Sequence, residues 1–127
     1  MKKIVNTSHA PAPVGPYNQA VVYNGLIFIS GQIPIDPHTG DLKMSNISEE
    51  TTQVMENIKA ILEEAGCTFE SVLKVSIFST SMDNFSPVNT IYAKYFNEAT
   101  APAREFVEVS ALPKGVNVEI SVIAAID

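Results

Sequence analysis

The sequence predicts a small α+β domain: a mixed six-stranded sheet with two helices packed on one face. Three observations carry this. Two stretches, near residues 48–65 and 85–96, repeat their apolar residues at helical spacing. The segments around them alternate at period two or hold short apolar runs. The resulting order is strand, hairpin, helix, strand, helix, strand, strand. Two helices cover one face of such a sheet, so the other face needs a cover of its own, and an apolar uncovered face predicts an oligomer.

"KKIVNT" reads as a short first strand. "HAPAPVGPYNQ" is a loop, because three prolines and a glycine forbid regular structure. "AVVYNGLIFIS" holds two apolar runs about Asn24–Gly25, a strong hairpin signal because both turn positions tolerate positive φ. "GQIPIDPHTGD" is a second irregular loop. In the first helix Val54, Ile58, Ile61, Leu62 and Ala65 form one stripe. Ser48 is expected to cap its start, with Glu49 and Glu50 beside the positive end of the dipole, and Gly66 to end it in the left-handed conformation. "SVLKVSIFSTS" follows as a strand, with Leu73, Val75 and Ile77 on one face and Lys74 and Ser76 on the other. The second helix runs through Phe85, Val88, Ile91, Tyr92, Tyr95 and Phe96, capped by Asp83 or by Ser86 with Pro87 first in the helix. "REFVEVS" and "VNVEISVIAAI" close the chain as strands joined by "ALPKG". In the last strand Val116, Val118, Ile120 and Val122 share a face opposite Asn117, Glu119 and Ser121.

Composition narrows the function. The 127 residues fit one domain, 1–127, and 46% hydrophobic with 17% charged residues is a globular balance. No apolar run nears the roughly 20 residues of a membrane span, and the start has no secretory h-region, so a cytoplasmic home is expected. Cys67 is the one cysteine, which rules out an internal disulfide and a zinc site built on cysteines. His9 and His38 have no ligand-spaced partner, so no metal is expected. The net charge of −6 and eight scattered basic residues argue against a nucleic-acid partner.

No P-loop, GxGxxG, HExxH or GxSxG occurs. The candidates are single polar residues in unusual company. Arg104 lies in a strand just past Pro102. Its rigid fork of donors matches a carboxylate; the plainer alternative is an ion pair with a glutamate on a neighbouring strand. Within its own strand Glu105 points to the other face, and Glu108 lies about 13 Å along. Glu119 sits in the most apolar strand, away from the valine stripe. It either orients a water or is a solvated outer-face carboxylate. Tyr17 in "GPY" either overhangs a pocket or anchors its loop. Ser30 and Gly31 lie where a strand meets a loop, and a glycine there either admits a ligand to the backbone or serves a turn.

Taken together, "HAPAPVGPYNQA", "ISGQIPIDPHTG", "NIKAILEEAG", "VNTIYAKYF", "PAR..VEV" and "ALPKGVNVEISVIA" resemble the RidA family of enamine/imine deaminases, once described as endoribonucleases, over nearly the whole chain. The resemblance implies a chorismate-mutase-like α+β fold and a homotrimer with sheets facing inward and clefts between subunits. It implies hydrolysis of 2-aminoacrylate and related 2-imino acids to 2-keto acids and ammonia, without cofactor or metal. It casts Arg104 as the carboxylate clamp, Glu119 as the residue positioning the attacking water, and Tyr17 as the cleft closure from the adjacent subunit. Ser30 and Gly31 become cleft backbone facing the imine nitrogen, and Asn89 a cleft-side asparagine. The chain departs from the family's common "PARSCVEV": Glu105 and Phe106 replace serine and cysteine. Phe106 is expected on Arg104's face, lining a smaller and drier cleft and narrowing the substrate range. The other readings are a trimeric carboxylate-binding or regulatory module without turnover, and a ribonuclease, for which the chain lacks a histidine pair and a basic track.

Overall fold

The structure is a computed structural model describing residues 1–126. Six strands, β1 (Lys3–Val5), β2 (Ala20–Tyr23), β3 (Leu26–Gln32), β4 (Val72–Ser79), β5 (Ala103–Glu108) and β6 (Val118–Ala125), form one sheet in the order β1-β2-β3-β6-β4-β5. β4 and β5 run parallel, and the other neighbours are antiparallel. Helices α1 (Ile47–Glu64) and α2 (Phe85–Tyr92) complete the mixed α+β architecture expected from the sequence.

The hairpin turn has Asn24 at φ 50° and Gly25 at φ 80°, as a two-residue loop matched to strand twist requires. Val54, Met55, Ile58, Ile61 and Leu62 of α1 are buried against Ile27, Ile29, Val75, Ile77, Ile120 and Val122 of the sheet. Gly66, at φ 78°, ends α1: its N–H donates to the Glu63 carbonyl while that of Cys67 donates to the Leu62 carbonyl.

Three local expectations are corrected. α1 is capped by Asn46, whose Oδ1 accepts from the Glu49 N–H at 2.8 Å, so the helix starts one residue before Ser48. Neither Asp83 nor Ser86 caps α2. Ser81 instead caps a 3₁₀ turn at Met82–Asn84 that runs directly into α2, and α2 ends at Tyr92, short of Tyr95 and Phe96. Leu73 does not share a face with Val75 and Ile77. The β4–β6 register shifts between Val72 and Lys74, so Val72 is buried and Leu73 is 49% exposed. A bulge changes the phase of alternation, which sequence parity alone does not reveal.

The sheet face away from the helices carries exposed Tyr23, Phe28 and Val107. It is the apolar uncovered face that the element order implied. Among the described residues no helix is long and apolar enough to cross a membrane.

Candidate active site

Strand pairing decides which candidates can meet. Val75 is paired with Arg104 on β5 and with Val122 on β6, and both valines are buried beneath the helices. Arg104 therefore lies on the helix-bearing face. Phe78, three residues along β4, is paired with Val107 and Glu119. An odd spacing reverses the face, so Glu119 lies on the uncovered side. One chain thus holds two clusters of candidate residues, called half-sites below, on opposite faces of its sheet.

The Arg104 half-site rests on α2. Its Nη1 donates to Asn89 Oδ1 at 2.7 Å, and Cζ lies 4.8 Å from the Tyr92 ring centroid and 5.8 Å from that of Phe85. Asn89, Tyr92 and Phe85 share one side of the helix by their spacing of three and four. Aromatic faces attract the guanidinium and fix its plane without neutralising it. Among the described residues no carboxylate forms an ion pair with Arg104. The nearest candidates in sequence are used elsewhere. Glu105, on the opposite face, pairs with Lys74 Nζ at 3.2 Å and accepts from the Ser76 hydroxyl. That hydroxyl, and then Lys74, hold its carboxyl below the usual carboxylate range. Glu108 accepts from the Met82 N–H at 2.8 Å and so ties down the turn before α2. Arg104 therefore fronts a cavity of 570 Å³, walled by Asn89, Tyr92, Phe96 and Pro102 with Glu98 also on its lining, as a cation without an ion pair among the described residues. Among the described residues the buried Tyr92 hydroxyl finds no hydrogen-bond partner. Its pKa is pushed up to about 12 by burial, against the opposing pull of Arg104, so it stays protonated at neutral pH.

The second half-site is a cavity of 350 Å³ that includes Tyr17, Gln19, Gly31, Lys114 and Glu119 in its lining. Burial raises the pKa of the Glu119 carboxyl above its ordinary value. Tyr17 is half-exposed, and its phenolic oxygen accepts from the Val14 N–H at 3.4 Å. Among the described residues no group of three or more His, Cys, Asp or Glu could hold a metal ion.

Comparison with known proteins places these halves in a family. The endoribonuclease L-PSP family model matches residues 7–126. The chain belongs to the RidA family. A Rid family structure from Yersinia pestis is 51% identical with a TM-score of 0.96, covering 99% of this chain and all of that one. A bovine relative named 2-iminobutanoate/2-iminopropanoate deaminase is 44% identical over 98% of this chain and 90% of its own. An Escherichia coli TdcF structure with bound serine is 37% identical, with a TM-score of 0.92 and coverage of 98% and 99%.

Within this RidA chain the expected site residues separate clearly. Arg104 and Asn89 meet on one half-site, and Tyr17, Gly31 and Glu119 on the other. Ser30 reaches neither lining. Its hydroxyl donates to the Asn18 carbonyl at 2.6 Å and its N–H to the Gln19 carbonyl at 2.9 Å, so its donors bind the Tyr17 loop to β3. Phe106 shares Arg104's face, yet it packs edge-on against Phe85 with centroids 5.1 Å apart and is not among the residues lining the Arg104 cavity. Its ring packs on Phe85, which in turn lies beside the Arg104 guanidinium. Tyr92, Phe85 and Lys114 were missed as site residues. The first two read as core positions of an apolar stripe, and only their shared side with Asn89 hinted otherwise.

Gly31 is explained by its neighbour. A Cβ there would run into Glu119 Oε2 and lie 2.8 Å from its Cδ and 3.0 Å from its Cγ. Gly31→Ala therefore displaces the Glu119 carboxylate, a flexible tip that can swing aside at small cost in stability. The expected result is a Glu119 side chain turned to another rotamer with thermal stability little changed; a crystal structure of the variant and parallel melts check it.

Proposed function

We propose that the chain is an imine deaminase, hydrolysing 2-iminobutanoate, 2-iminopropanoate and the 2-aminoacrylate that tautomerises to the latter. The observation that carries the reading is Arg104: a guanidinium oriented by a neutral asparagine and two aromatic rings, facing a cavity and, among the described residues, ion-paired with no carboxylate. Such a fork fits the carboxylate of a 2-imino acid bidentately. The bovine relative's name and the serine held in the TdcF structure support a small carboxylate as the ligand class.

The chemistry asks little more. A free imine already hydrolyses in water, so holding the anion, orienting a water and moving protons suffices, with no covalent nucleophile or metal. In the proposed cycle ionised Glu119 takes a proton from the water as its oxygen attacks the imine carbon. That proton passes to nitrogen to give a carbinolamine; Glu119 then takes the hydroxyl proton and delivers it to nitrogen as the C–N bond breaks, so ammonia leaves, the carbonyl forms and Glu119 is ionised again. Tyr17 closes the cleft, and Gly31 leaves room for the Glu119 carboxylate. Phe106, behind Phe85, stiffens the Arg104 wall. With the reading go a cytoplasmic home and the absence of a nucleic-acid partner, as the acidic charge suggests.

Because Arg104 and Glu119 lie on opposite faces of one sheet, a site that uses both takes them from two copies. A homotrimer joined through the uncovered apolar faces is the assembly we propose. The test generates the imine in situ with a serine or threonine dehydratase and follows its loss against a semicarbazide trap. The parent is expected to accelerate the loss; a folded oligomer that gives none overturns the deaminase reading in favour of a carboxylate-binding module. Arg104→Ala and Glu119→Gln chains, each inactive alone, are expected to regain activity when unfolded and refolded together, since about a quarter of randomly assembled clefts carry both native residues. No recovery in well-formed mixed oligomers places both residues of one site on a single chain and removes the shared-cleft arrangement.

A further inference from the structure

The Glu119 cavity is walled on one side by a stretch that cannot hold itself in place. Residues 7–17 include Pro11, Pro13 and Pro16 and form neither helix nor strand, so their backbone groups must find partners elsewhere. A single buried side chain provides them. Gln19 is only 2% exposed. Its Oε1 accepts from the Thr7 N–H at 2.6 Å, and its Nε2 lies 3.0, 3.2 and 2.8 Å from the carbonyl oxygens of Thr7, Ala10 and Pro11. Its own N–H donates to Asn6 Oδ1 at 2.9 Å, and its carbonyl accepts from the Ser30 N–H. Among the described residues, the other hydrogen bonds of residues 7–14 stay within the loop, His9 to Thr7 and Val14 to Tyr17. Pro11 and Tyr17 stand on the cavity lining with Gln19 itself.

We propose that Gln19 is a positioning residue, holding the Thr7–Tyr17 loop so that Tyr17 stands over the Glu119 cavity. As it concerns turnover, the inference rests on the deaminase reading; as it concerns the loop, it does not. A carboxamide suits the task because it offers a donor and an acceptor at one point without charge. Methionine offers neither, and an ionised carboxylate turns only acceptors towards three carbonyl oxygens.

The experiment compares the full-length parent with Gln19→Met and Gln19→Glu. It reads kcat/KM on the in situ imine and the rate of chymotrypsin cleavage after Tyr17, both across neutral pH. Gln19→Met is expected to lose about tenfold or more in kcat/KM and to be cut faster, to a similar degree at every pH. Gln19→Glu is expected to depend on pH. The introduced carboxyl, buried and facing carbonyl oxygens, keeps its proton above the usual range and can then donate one bond. As pH rises and it ionises, activity relative to the parent falls and cleavage quickens. The titratable groups around it are His9 in the held loop and Tyr17, Lys114 and Glu119 on the cavity. The parent carries all four, so the ratio at each pH removes them. Cleavage and kcat/KM matching the parent in both variants overturn the proposal. So does a loss in Gln19→Glu that is the same at all pH, which is the mark of packing alone. If Gln19→Met does not fold, Gln19→Glu on the acid side still decides. A parent without turnover sinks the deaminase reading, while the cleavage rates still test the loop.

Discussion

Replacing Arg104 with alanine is expected to lower kcat/KM on 2-imino acids by at least a hundredfold while leaving the fold almost as stable as before. A hydrogen bond to a charged group contributes about 1.5–3 kcal/mol, and a fork that makes two gives roughly 3–6 kcal/mol, or about two to four powers of ten. The small structural cost follows from Arg104's surroundings. Among the described residues it has no ion pair to lose, only the Asn89 bond and its stacking on Tyr92 and Phe85. Those are worth about 1–2 kcal/mol in a half-exposed place. Lysine keeps the charge but not the planar fork, so Arg104→Lys is expected to recover only part of the loss, mainly through KM. Steady-state rates and thermal melts together check this. A loss below tenfold in Arg104→Ala means that the carboxylate is held elsewhere, and the functional reading goes with it.

Glu119→Gln is expected to lower kcat by about two to four powers of ten, the range for a positioned general acid–base group, with little change in KM because the clamp is intact. The pH behaviour is specific. Burial raises the Glu119 pKa, and the base must be ionised to take a proton from water, so the parent's rate climbs as pH passes through that raised value. The glutamine variant loses this limb. Stability moves the other way. A carboxyl whose pKa is raised on folding binds its proton more tightly in the folded chain than in the unfolded one. Its favourable contribution is full below the unfolded value and is lost as pH rises through the folded one. Glu119→Gln should therefore gain stability relative to the parent towards neutral pH and show no such gain in acid. The carboxyl is only partly buried, so the gain is modest. A pH–rate profile with melts at acid and neutral pH decides the matter, and an unchanged limb in the variant assigns the proton transfer to another group.

Much of this was legible before any coordinates. The α1 stripe, the Asn24–Gly25 turn, the Gly66 stop and the period-two run of β6 are signals contained within a few residues, and the structure keeps them. The uncovered sheet face followed from the order of elements. Arg104 stood out as a charge that its own strand could not neutralise, and Glu105 and Glu108 are indeed occupied elsewhere. What failed was local phase and local purpose. A bulge moved Leu73 off the face of Val75. Asn46 and Ser81 took the caps expected of Ser48 and of Asp83 or Ser86. Ser30 turned its donors to the Tyr17 loop, and Phe106 settled against Phe85. Tyr92 and Phe85 were missed because an aromatic on an apolar helical stripe has the same signature whether it fills the core or cradles a guanidinium.

Away from the bulge in β4, the sequence by itself determined which side chains share a face along a strand or helix, because alternation and helical repeat are properties of a few consecutive residues. It could not say which strand lies beside which, or in what register. Those depend on pairings between residues tens of positions apart and on bulges that shift the phase. Only the tertiary structure decided that Val75 aligns with Arg104 and Phe78 with Glu119. That alignment puts the two residues on opposite faces of one sheet, which is why the proposed site draws them from two copies of the chain.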